Sequence, residues 1–306
     1  MRIAVLGSGA MGSLYGGLLS EGNNEVWLLD IWKEHVKRIN KEGLKIEGKS
    51  GNRIVENIRA TVDPNEIGIV DLLLIFVKST ITDKALEGAK NIIGESTLIL
   101  TLQNGLGNIE KIESVVGKEN IIAGTTSHGA TMLSPGKILH AGIGTTIIGE
   151  INGLKSDRVK RLKEIFDESK IETVVTDNVI GLIWDKLLVN VGINAITALT
   201  ELRNGRIVEF IETKEILELA VGEGEKVAKA KGIKLINQEP IEHTKQICRL
   251  TAQNKSSMLQ DIINKRKTEI DMINGAIVRE GKKHSINTPI NLILTNLIKV
   301  KEKREN

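Results

Sequence analysis

A short apolar run near the start of the chain leads directly into a glycine-rich turn. Residues 3–12 read Ile3-Ala4-Val5-Leu6-Gly7-Ser8-Gly9-Ala10-Met11-Gly12. The G-x-G-x-x-G spacing decides little alone, because glycine-rich turns occur in unrelated proteins. Here a strand pattern enters the turn, a helix pattern leaves it, and the acidic Asp30 ends the next strand pattern. This context predicts a strand-turn-helix unit that binds dinucleotide phosphates.

Each position of the turn has a physical task in such a site. Gly7 permits the tight turn, Gly9 lets the backbone approach the pyrophosphate, and Gly12 lets helix and strand pack closely. The N–H groups at the helix start, together with the helix dipole, favour bound phosphate. We therefore predict that Ser8, Ala10 and Met11 contact the cofactor together with the three glycines.

Apolar runs alternate with amphipathic stretches through the first half of the chain. Near-continuous Ile, Leu and Val runs of this length are typical of strands covered on both faces. The predicted strands are residues 3–6, 25–29, 71–77, 97–102 and 121–126, and the predicted helices are residues 10–21, 33–42 and 82–93, each ending before a glycine. This alternation predicts a Rossmann-type, doubly wound parallel sheet.

The pattern changes in the second half. Residues 137–150 are punctuated by glycine and predict a hairpin that closes the first domain. Beyond about Thr176 helical periodicity dominates. We predict a dinucleotide-binding domain over residues 1–176 and an all-helical substrate and catalytic domain over residues 177–306.

Composition excludes several classes of partner. The 42 basic and 39 acidic residues are interspersed and give a net charge of +3, and only 2% of residues are aromatic, so nucleic acid is not an expected partner. Cys248 is the single cysteine, and no His/Cys cluster has metal-ligand spacing. The chain has no leader pattern and no apolar run near the ~18 residues of a membrane span, which predicts a cytoplasmic protein. A homodimer through the helical domain is a further expectation.

Asp30 bears on the identity of the dinucleotide. A carboxylate at the end of the second strand accepts hydrogen bonds from a ribose 2′-hydroxyl and repels a 2′-phosphate, which favours NADH over NADPH. Lys33 lies just downstream and could reach a 2′-phosphate, although a solvated lysine in a first helical turn is the simpler interpretation.

Polar residues follow two predicted strands at the edge where ligands bind in such sheets. Lys78 comes after residues 71–77, and Asn104 comes after residues 97–102. Both should line the crevice beyond the carboxyl ends of the strands. His128 and Ala130 follow the next strand; we assign His128 a structural role.

A polar stripe runs along an otherwise apolar helix in the second half. Lys186, Asn190, Asn194 and Thr197 have i, i+4, i+8 and i+11 spacing, which places them on one side of the helix. Buried polar groups need partners, so the stripe is expected to face a polar ligand or a cleft. A desolvated lysine can act as a proton donor. The alternative is a structural lysine paired with a carboxylate.

Two later segments resemble helix starts. Ser257 with Gln260, and Thr268 with Asp271, have the spacing of capping boxes. Ser257 at a helix start could also bind a carboxylate. Glu269 alone would pass for a first-turn carboxylate.

With these residues in place, the chain resembles the ketopantoate reductases (2-dehydropantoate 2-reductases), which are 6-phosphogluconate-dehydrogenase-like enzymes. The resemblance spans nearly the whole chain. It rests on the turn at residues 7–12, on Val77-Lys78, on Gln103-Asn104-Gly105, on the block at residues 184–197, on Ser256-Ser257-Met258, and on residues 268–275.

The resemblance implies reduction of ketopantoate to pantoate with NAD(P)H, in pantothenate and coenzyme A biosynthesis. It implies that Lys186 is the general acid and that Glu269 acts beside it and near the cofactor. The implied substrate ligands are Asn190, Asn194, Asn204, Asn254 and Ser257. It further implies that Asn104 contacts cofactor and substrate and that Ala130 lies near the nicotinamide.

The chain departs from the family pattern at the adenine ribose. Members that prefer NADPH often carry an arginine at the end of the second strand, where this chain reads Leu29-Asp30-Ile31-Trp32, and Ile81 stands where a glutamine is common. The family resemblance thus favours NADPH, whereas Asp30 favours NADH. Two other functions stay open: reduction of another branched 2-oxo acid, and non-catalytic dinucleotide sensing.

Overall fold

A computed structural model describes residues 1–305 and divides into two compact units. The first contains Met1–Gln103 and Asn108–Val179. The second begins at Ile180 and also contains the short loop Asn104–Gly107.

An eight-stranded sheet forms the centre of the first unit. Its order is β12-β11-β8-β7-β6-β1-β2-β5. Neighbouring strands pair in parallel, except that β11 runs antiparallel to β8. The strands are β1 (Arg2–Leu6), β2 (Glu25–Leu29), β5 (Arg59–Thr61), β6 (Val70–Ile75), β7 (Ile93–Thr101), β8 (Ile121–Thr126), β11 (Thr146–Glu150) and β12 (Thr173–Val175). The predicted doubly wound α/β fold is confirmed.

Helices cover both faces of this sheet. They are α1 (Ala10–Glu21), α2 (Lys33–Glu42), α3 (Thr82–Gly88), α4 (Asn108–Val116) and α5 (Asp157–Glu168). Alternate residues of β1 enter different cores: Ile3 and Val5 pack with α1, α2 and α5, whereas Ala4 and Leu6 pack with α3 and α4. This two-sided burial explains why the strands lack a polar alternation. Helix α3 is shorter than the predicted 82–93, because a 3-10 turn (Lys90–Ile92) follows it.

The predicted hairpin over residues 137–150 is wrong, because its two halves belong to different sheets. A second sheet has the order β4-β3-β10-β9, with β3 (Leu44–Gly48), β4 (Arg53–Val55), β9 (Gly129–Ser134) and β10 (Lys137–Gly142). Strand β10 pairs with β9 and β3, whereas β11 pairs with β8 and β12 in the large sheet.

The second unit is helical. Its helices are α6 (Val179–Thr200), α7 (Ile211–Ala230), α8 (Pro240–Leu250), α9 (Ser257–Ile263), α10 (Asn274–Lys283) and α11 (Pro289–Glu305). Aliphatic side chains of these helices pack around Trp184, Leu188 and Val191 of α6, which form the middle of the core. Glu223 of α7 accepts hydrogen bonds from the N–H groups of Ile290 and Asn291 and so anchors the start of α11.

Helix α6 corrects one expectation. It is long and apolar enough to cross a membrane by length and composition, with a mean hydropathy of 1.5 over 18 residues. Of that window, 67% is buried inside the protein, as in the central helix of a soluble domain. Its apolar character is therefore explained by packing against the other helices.

Candidate active site

The glycine-rich turn is tightly packed at Gly7 and Gly12 and open at Gly9. Gly7 has a φ of +94°, and a Cβ there would lie 2.7 Å from the Val77 nitrogen. A Cβ on Gly12 would lie 2.0 Å from the Gly7 carbonyl oxygen. A Cβ on Gly9 would meet no atom within 4 Å. Only glycine fits at positions 7 and 12, whereas Gly9 presents bare backbone to a ligand.

The start of α1 is suited to an anion. Gly9 caps the helix without a side-chain hydrogen bond, and the first turn carries no acidic residue. Gly9 is exposed, and Ala10 and Met11 are half-buried. The N–H groups and helix dipole at this end are therefore not neutralised by a capping side chain, which fits the pyrophosphate of a dinucleotide.

Asp30 is bonded to the same turn from the end of β2. Its Oδ2 accepts hydrogen bonds from the Ser8 backbone nitrogen at 2.6 Å and from Ser8 Oγ at 3.1 Å. Its Oδ1 accepts one from the Trp32 nitrogen at 3.0 Å. Ser8 is fully buried. Both hydrogen-bond donors of Ser8 are engaged by Asp30, so the role of Ser8 in cofactor binding stays a prediction. Gly9, Ala10 and Met11 are by contrast at least partly exposed.

Gln103 joins two strand ends in the first unit. Its Nε2 donates to the Val77 carbonyl at 2.6 Å and to Thr82 Oγ1 at 2.8 Å. This fixes the segment that carries Lys78, which is half-buried. The sequence signal for this contact is the position of Gln103 shortly after the end of β7 and directly before Asn104.

Ala130 lies on β9 opposite His140 of β10. The residue two positions before it, His128, is buried, and its Nδ1 lies 3.1 Å from His140 Nε2. Burial, aided by His140, lowers the pKa of His128 to about 4, so its imidazole is neutral at pH 7. This pairing agrees with the structural role expected for His128.

Lys186 of the second unit has a strongly lowered pKa. Its side chain is half-buried on α6, and burial lowers its pKa to about 8 against the opposing charge of Glu269. The structure thus brings the charges of Lys186 and Glu269 within electrostatic reach of each other, as the family resemblance implied, and their catalytic roles stay a prediction. An amine whose pKa lies near neutrality can release a proton at physiological pH.

The loop Asn104–Gly107 packs against Met272, three residues after Glu269. The Leu106 nitrogen donates to the Met272 carbonyl at 3.0 Å, and a Cβ on Gly105 would lie 2.4 Å from the same oxygen. Gly105 adopts φ +82°. Met272 belongs to a 3-10 turn (Ile270–Met272) that starts directly after Glu269. Asn104 therefore belongs to the same compact unit as Lys186 and Glu269.

Two of the asparagines predicted to bind substrate carry buried polar atoms for which the structure shows no hydrogen-bond partner among residues 1–305. These atoms are Asn194 Nδ2 and Asn204 Oδ1. Asn190 is half-buried one turn before Asn194. The Asn204 nitrogen donates to the Asn254 carbonyl at 3.0 Å, which joins these two predicted ligands. Buried amides normally find partners, so these atoms are consistent with the predicted ligand roles of Asn194 and Asn204, which stay a prediction.

The predicted capping box at Ser257 is wrong, because Ser256 caps α9 instead. Ser256 Oγ accepts from the Leu259 nitrogen at 3.1 Å and lies 2.7 Å from Thr197 Oγ1. Thr197 also donates within α6, to the Ile193 carbonyl. It is therefore satisfied by protein rather than ligand, and Ser257 is exposed at the helix start.

The predicted capping box at Thr268 is also wrong. The Thr268 nitrogen and hydroxyl both donate to Glu302 Oε1, at 2.7 and 2.6 Å. The next α-helix, α10, starts only at Asn274. Glu302 of α11 thus anchors the residue adjacent to Glu269.

A Rossmann-type unit with a glycine-rich turn, together with a helical unit, is the fold of a class of nicotinamide-dinucleotide-dependent oxidoreductases, and this chain belongs to that class. Among residues 1–305 no group of three or more His, Cys, Asp or Glu side chains could hold a metal ion.

The particular family follows from comparison with known proteins. Residues 3–153 match the family model "Ketopantoate reductase PanE/ApbA", and residues 178–302 match its C-terminal counterpart. The chain belongs to the ketopantoate reductase family, as the resemblance predicted.

Relatives cover the whole chain. The 2-dehydropantoate 2-reductase of Halobacterium salinarum is 37% identical over 303 residues, 99% of both chains. That of Pyrococcus horikoshii is 41% identical and covers 99% of this chain and 98% of its own. A D-mandelate dehydrogenase in complex with NADH and anilino(oxo)acetate superposes with a TM-score of 0.94, at 33% identity over 100% of this chain and 99% of its own.

Proposed function

We propose that this protein reduces ketopantoate to pantoate with NAD(P)H. The observation that carries the proposal is Lys186, whose burial lowers its pKa to about 8 beside Glu269, in a unit with unsatisfied amide atoms on Asn194 and Asn204. Curated full-length relatives bear the name 2-dehydropantoate 2-reductase, which supports the same substrate.

The glycine-rich turn would hold the dinucleotide. Gly9, Ala10 and Met11 would offer backbone N–H groups to its pyrophosphate, and Asp30 would accept from the ribose. Lys78, Asn104 and Ala130 would lie along its nicotinamide half. When bound, the cofactor supplies a hydride.

Lys186 would act as the general acid. Its ammonium donates a proton to the ketone oxygen as the carbonyl carbon is reduced, which yields the hydroxyl of the product and a neutral amine. Glu269 favours the charged form of Lys186 electrostatically, so the donor is reprotonated for the next turnover.

The asparagines and Ser257 would hold the substrate. Asn190, Asn194 and Asn204 would bind its carboxylate and hydroxyl oxygens, with Asn254 supporting Asn204 through the observed backbone contact. Hydrogen bonds to a substrate carboxylate orient the ketone toward Lys186. Such orientation contributes to catalysis by holding the reacting atoms at near-attack distances.

The decisive assay combines ketopantoate separately with NADH and NADPH and follows dinucleotide oxidation. Turnover with at least one cofactor is expected, and no oxidation of either would refute the substrate assignment.

Lys186→Ala should lower turnover by roughly 10²-fold or more, the scale of general acid catalysis, while dinucleotide affinity stays within about threefold. Lys226→Ala is the control, because Lys226 is exposed on α7. Unchanged turnover in Lys186→Ala would overturn the assignment of Lys186 as the general acid, whereas dinucleotide binding without turnover of any 2-oxo acid would favour the non-catalytic sensor.

A second substrate class has structural support of its own. The D-mandelate dehydrogenase complex contains a 2-oxo acid analogue with an aromatic amide, on a fold that superposes closely with this chain. Asparagine and serine side chains recognise the carboxylate and oxygen shared by all 2-oxo acids. A panel of ketopantoate, other branched 2-oxo acids and phenylglyoxylate therefore tests specificity. A higher kcat/KM for a compound other than ketopantoate would replace the primary assignment.

We propose NADH as the preferred cofactor because the Asp30 carboxylate lies at the end of β2. Asp30→Asn removes the charge but keeps an acceptor for the Ser8 nitrogen. It should raise kcat/KM with NADPH relative to NADH by about tenfold, equivalent to about 1.4 kcal/mol. Asp157→Asn is the matched control, since Asp157 is exposed on α5. A wild-type preference for NADPH would contradict the proposal.

We also propose a cytoplasmic homodimer formed through the helical unit. Ile293, Leu297 and Val300 are exposed at i, i+4 and i+7 on α11 and would contribute an apolar contact. Light scattering measures the mass directly, and a monomer across micromolar concentrations would contradict this assembly. Cell fractionation tests the location.

A further inference from the structure

A chain of buried hydrogen bonds reaches the glycine-rich turn at Ser8 through residues that have no assigned role in cofactor or substrate binding. The Gly136 nitrogen donates to His35 Nδ1 at 2.9 Å. His35 Nε2 lies 3.2 Å from Ser13 Oγ, and Ser13 Oγ donates to the Ser8 carbonyl at 2.8 Å. The side chains of His35, Ser13 and Ser8 are all fully buried.

The direction of each bond is determined by the first. A backbone N–H can only donate, so His35 Nδ1 must be the unprotonated nitrogen of a neutral imidazole. Its proton is on Nε2 and is donated to Ser13 Oγ. The Ser13 hydroxyl, having accepted this bond, donates its own proton to the Ser8 carbonyl.

Burial favours this neutral form by lowering the pKa of His35, against the opposing effects of the Asp30 charge and the Ser8 carbonyl. Trp32 stacks on the imidazole with centroids 5.3 Å apart and planes at 13°, which fixes the ring orientation. The ring is therefore held by Gly136, Ser13 and Trp32.

The peptide units around Ser8 are thus held on both sides. Asp30 accepts from the Ser8 nitrogen, and Ser13 donates to the Ser8 carbonyl. The Ser8 carbonyl belongs to the peptide bond whose nitrogen is that of Gly9, so the Ser13 bond fixes the backbone immediately before α1. A phosphate site built from backbone N–H groups depends on that orientation.

We infer that His35 is a positioning residue for the dinucleotide site, acting through Ser13 to fix the Ser8–Gly9 peptide. This inference rests on the proposed dinucleotide binding and adds a residue that touches no ligand. It predicts that the Ser13 side of the imidazole matters for affinity and that the Gly136 side matters only for stability.

Two substitutions separate the two nitrogens. The amide nitrogen of His35→Gln can replace Nε2 and keep the bond to Ser13. The amide oxygen of His35→Asn can replace Nδ1, keeping the bond to Gly136 and losing the one to Ser13. Calorimetric titration with NADH should give a Kd within about threefold of wild type for His35→Gln and about tenfold weaker for His35→Asn, the effect of one lost hydrogen bond.

Ser13→Ala supplies an independent test that leaves the imidazole in place. It should weaken NADH binding about tenfold, and the His35→Asn/Ser13→Ala double variant should bind no more weakly than Ser13→Ala alone, because both remove the same link. The kcat at saturating NADH should stay within about twofold of wild type in each variant. His140→Asn, at another buried histidine of the same unit, should lower Tm and leave Kd unchanged.

Circular dichroism and thermal unfolding establish that each variant is folded. Wild-type protein that binds neither NADH nor NADPH would refute the proposed cofactor site and the role of His35 with it. Binding by wild type with unchanged Kd in His35→Asn and Ser13→Ala would overturn the role of His35 alone. Equal weakening by His35→Gln and His35→Asn, with Ser13→Ala unaffected, would show that the ring acts only by packing and would also overturn it.

Discussion

Replacing Lys186 with methionine should stabilise the protein while removing its activity. Methionine has nearly the same length and shape but carries no charge. Burial lowers the pKa of Lys186 from 10.5 to about 8. Each pKa unit corresponds to about 1.4 kcal/mol, so the charged amine costs the folded state about 3 kcal/mol below pH 8, or about 2 kcal/mol after allowing for its partial exposure.

The sign follows from proton binding. Between pH 8 and 10.5 the unfolded chain keeps a proton on Lys186 that the folded protein has released. The free energy of unfolding of the wild type therefore rises with pH across this window relative to Lys186→Met. The difference between the two proteins should be about 2–3 kcal/mol in favour of Lys186→Met at pH 7 and should vanish near pH 10.5.

Urea unfolding at a series of pH values measures this difference. Lys226→Met, at an exposed position of α7, controls for the loss of one positive charge from the helical unit. Wild-type turnover should fall as pH rises through about 8, since the general acid must be protonated. A pH-independent difference, or a less stable Lys186→Met variant, would refute the desolvated lysine even if turnover were lost.

Substitutions at three other places test separate parts of the structure. Gly9→Ala should fold with an unchanged Tm and lose at least about tenfold in dinucleotide affinity, because its methyl group meets only the open site. Gly12→Ala should also lower Tm, because its methyl group meets the backbone. Equal affinity for Gly9→Ala and wild type would contradict the phosphate site. Ser256→Ala should lower the free energy of unfolding by about 1 kcal/mol through loss of the cap, with exposed Ser257→Ala as its control, and equal effects would refute the cap assignment. Because the pKa of His128 falls from 6.5 to about 4, stability is lost as pH falls through this range, and His128→Asn should reduce that slope in urea unfolding; an identical slope would contradict its burial as a neutral ring.

The first unit was predictable from sequence where local patterns dominate. The helix bounds at residues 10–21 and 33–42 agree with the structure, and a glycine directly follows each helix. The strand at residues 121–126 agrees because it is a short, nearly continuous apolar run. The failure at residues 137–150 has a non-local cause. Strands β10 and β11 are adjacent in sequence, and nothing between them records that one pairs with β3 and the other with β8.

In the helical unit, too, features set by local spacing were predictable from sequence and features set by distant partners were not. The stripe from Lys186 to Asn194 follows from spacing on one helix, and the low pKa of Lys186 agrees with its predicted burial. The partners of Thr197 and Thr268 could not be read from spacing, because Ser256 and Glu302 lie 59 and 34 residues away. A hydroxyl has the same sequence signature whether its partner is a ligand or a distant side chain.

The hydrogen bonds of Asp30 bear on the proposed preference for NADH. An ionised carboxylate offers about four lone-pair positions, and three are taken by the Ser8 nitrogen, Ser8 Oγ and the Trp32 nitrogen. The position left on Oδ1 suits a ribose hydroxyl, which donates, and opposes a phosphate, which brings only acceptors. Changing Asp30 to a basic residue would remove that opposition but would leave the Ser8 nitrogen buried without a partner. Under the proposed NADH preference, a change to NADPH requires a new acceptor for the Ser8 nitrogen as well as a cation for the phosphate, and the exposed Lys33 offers only the second.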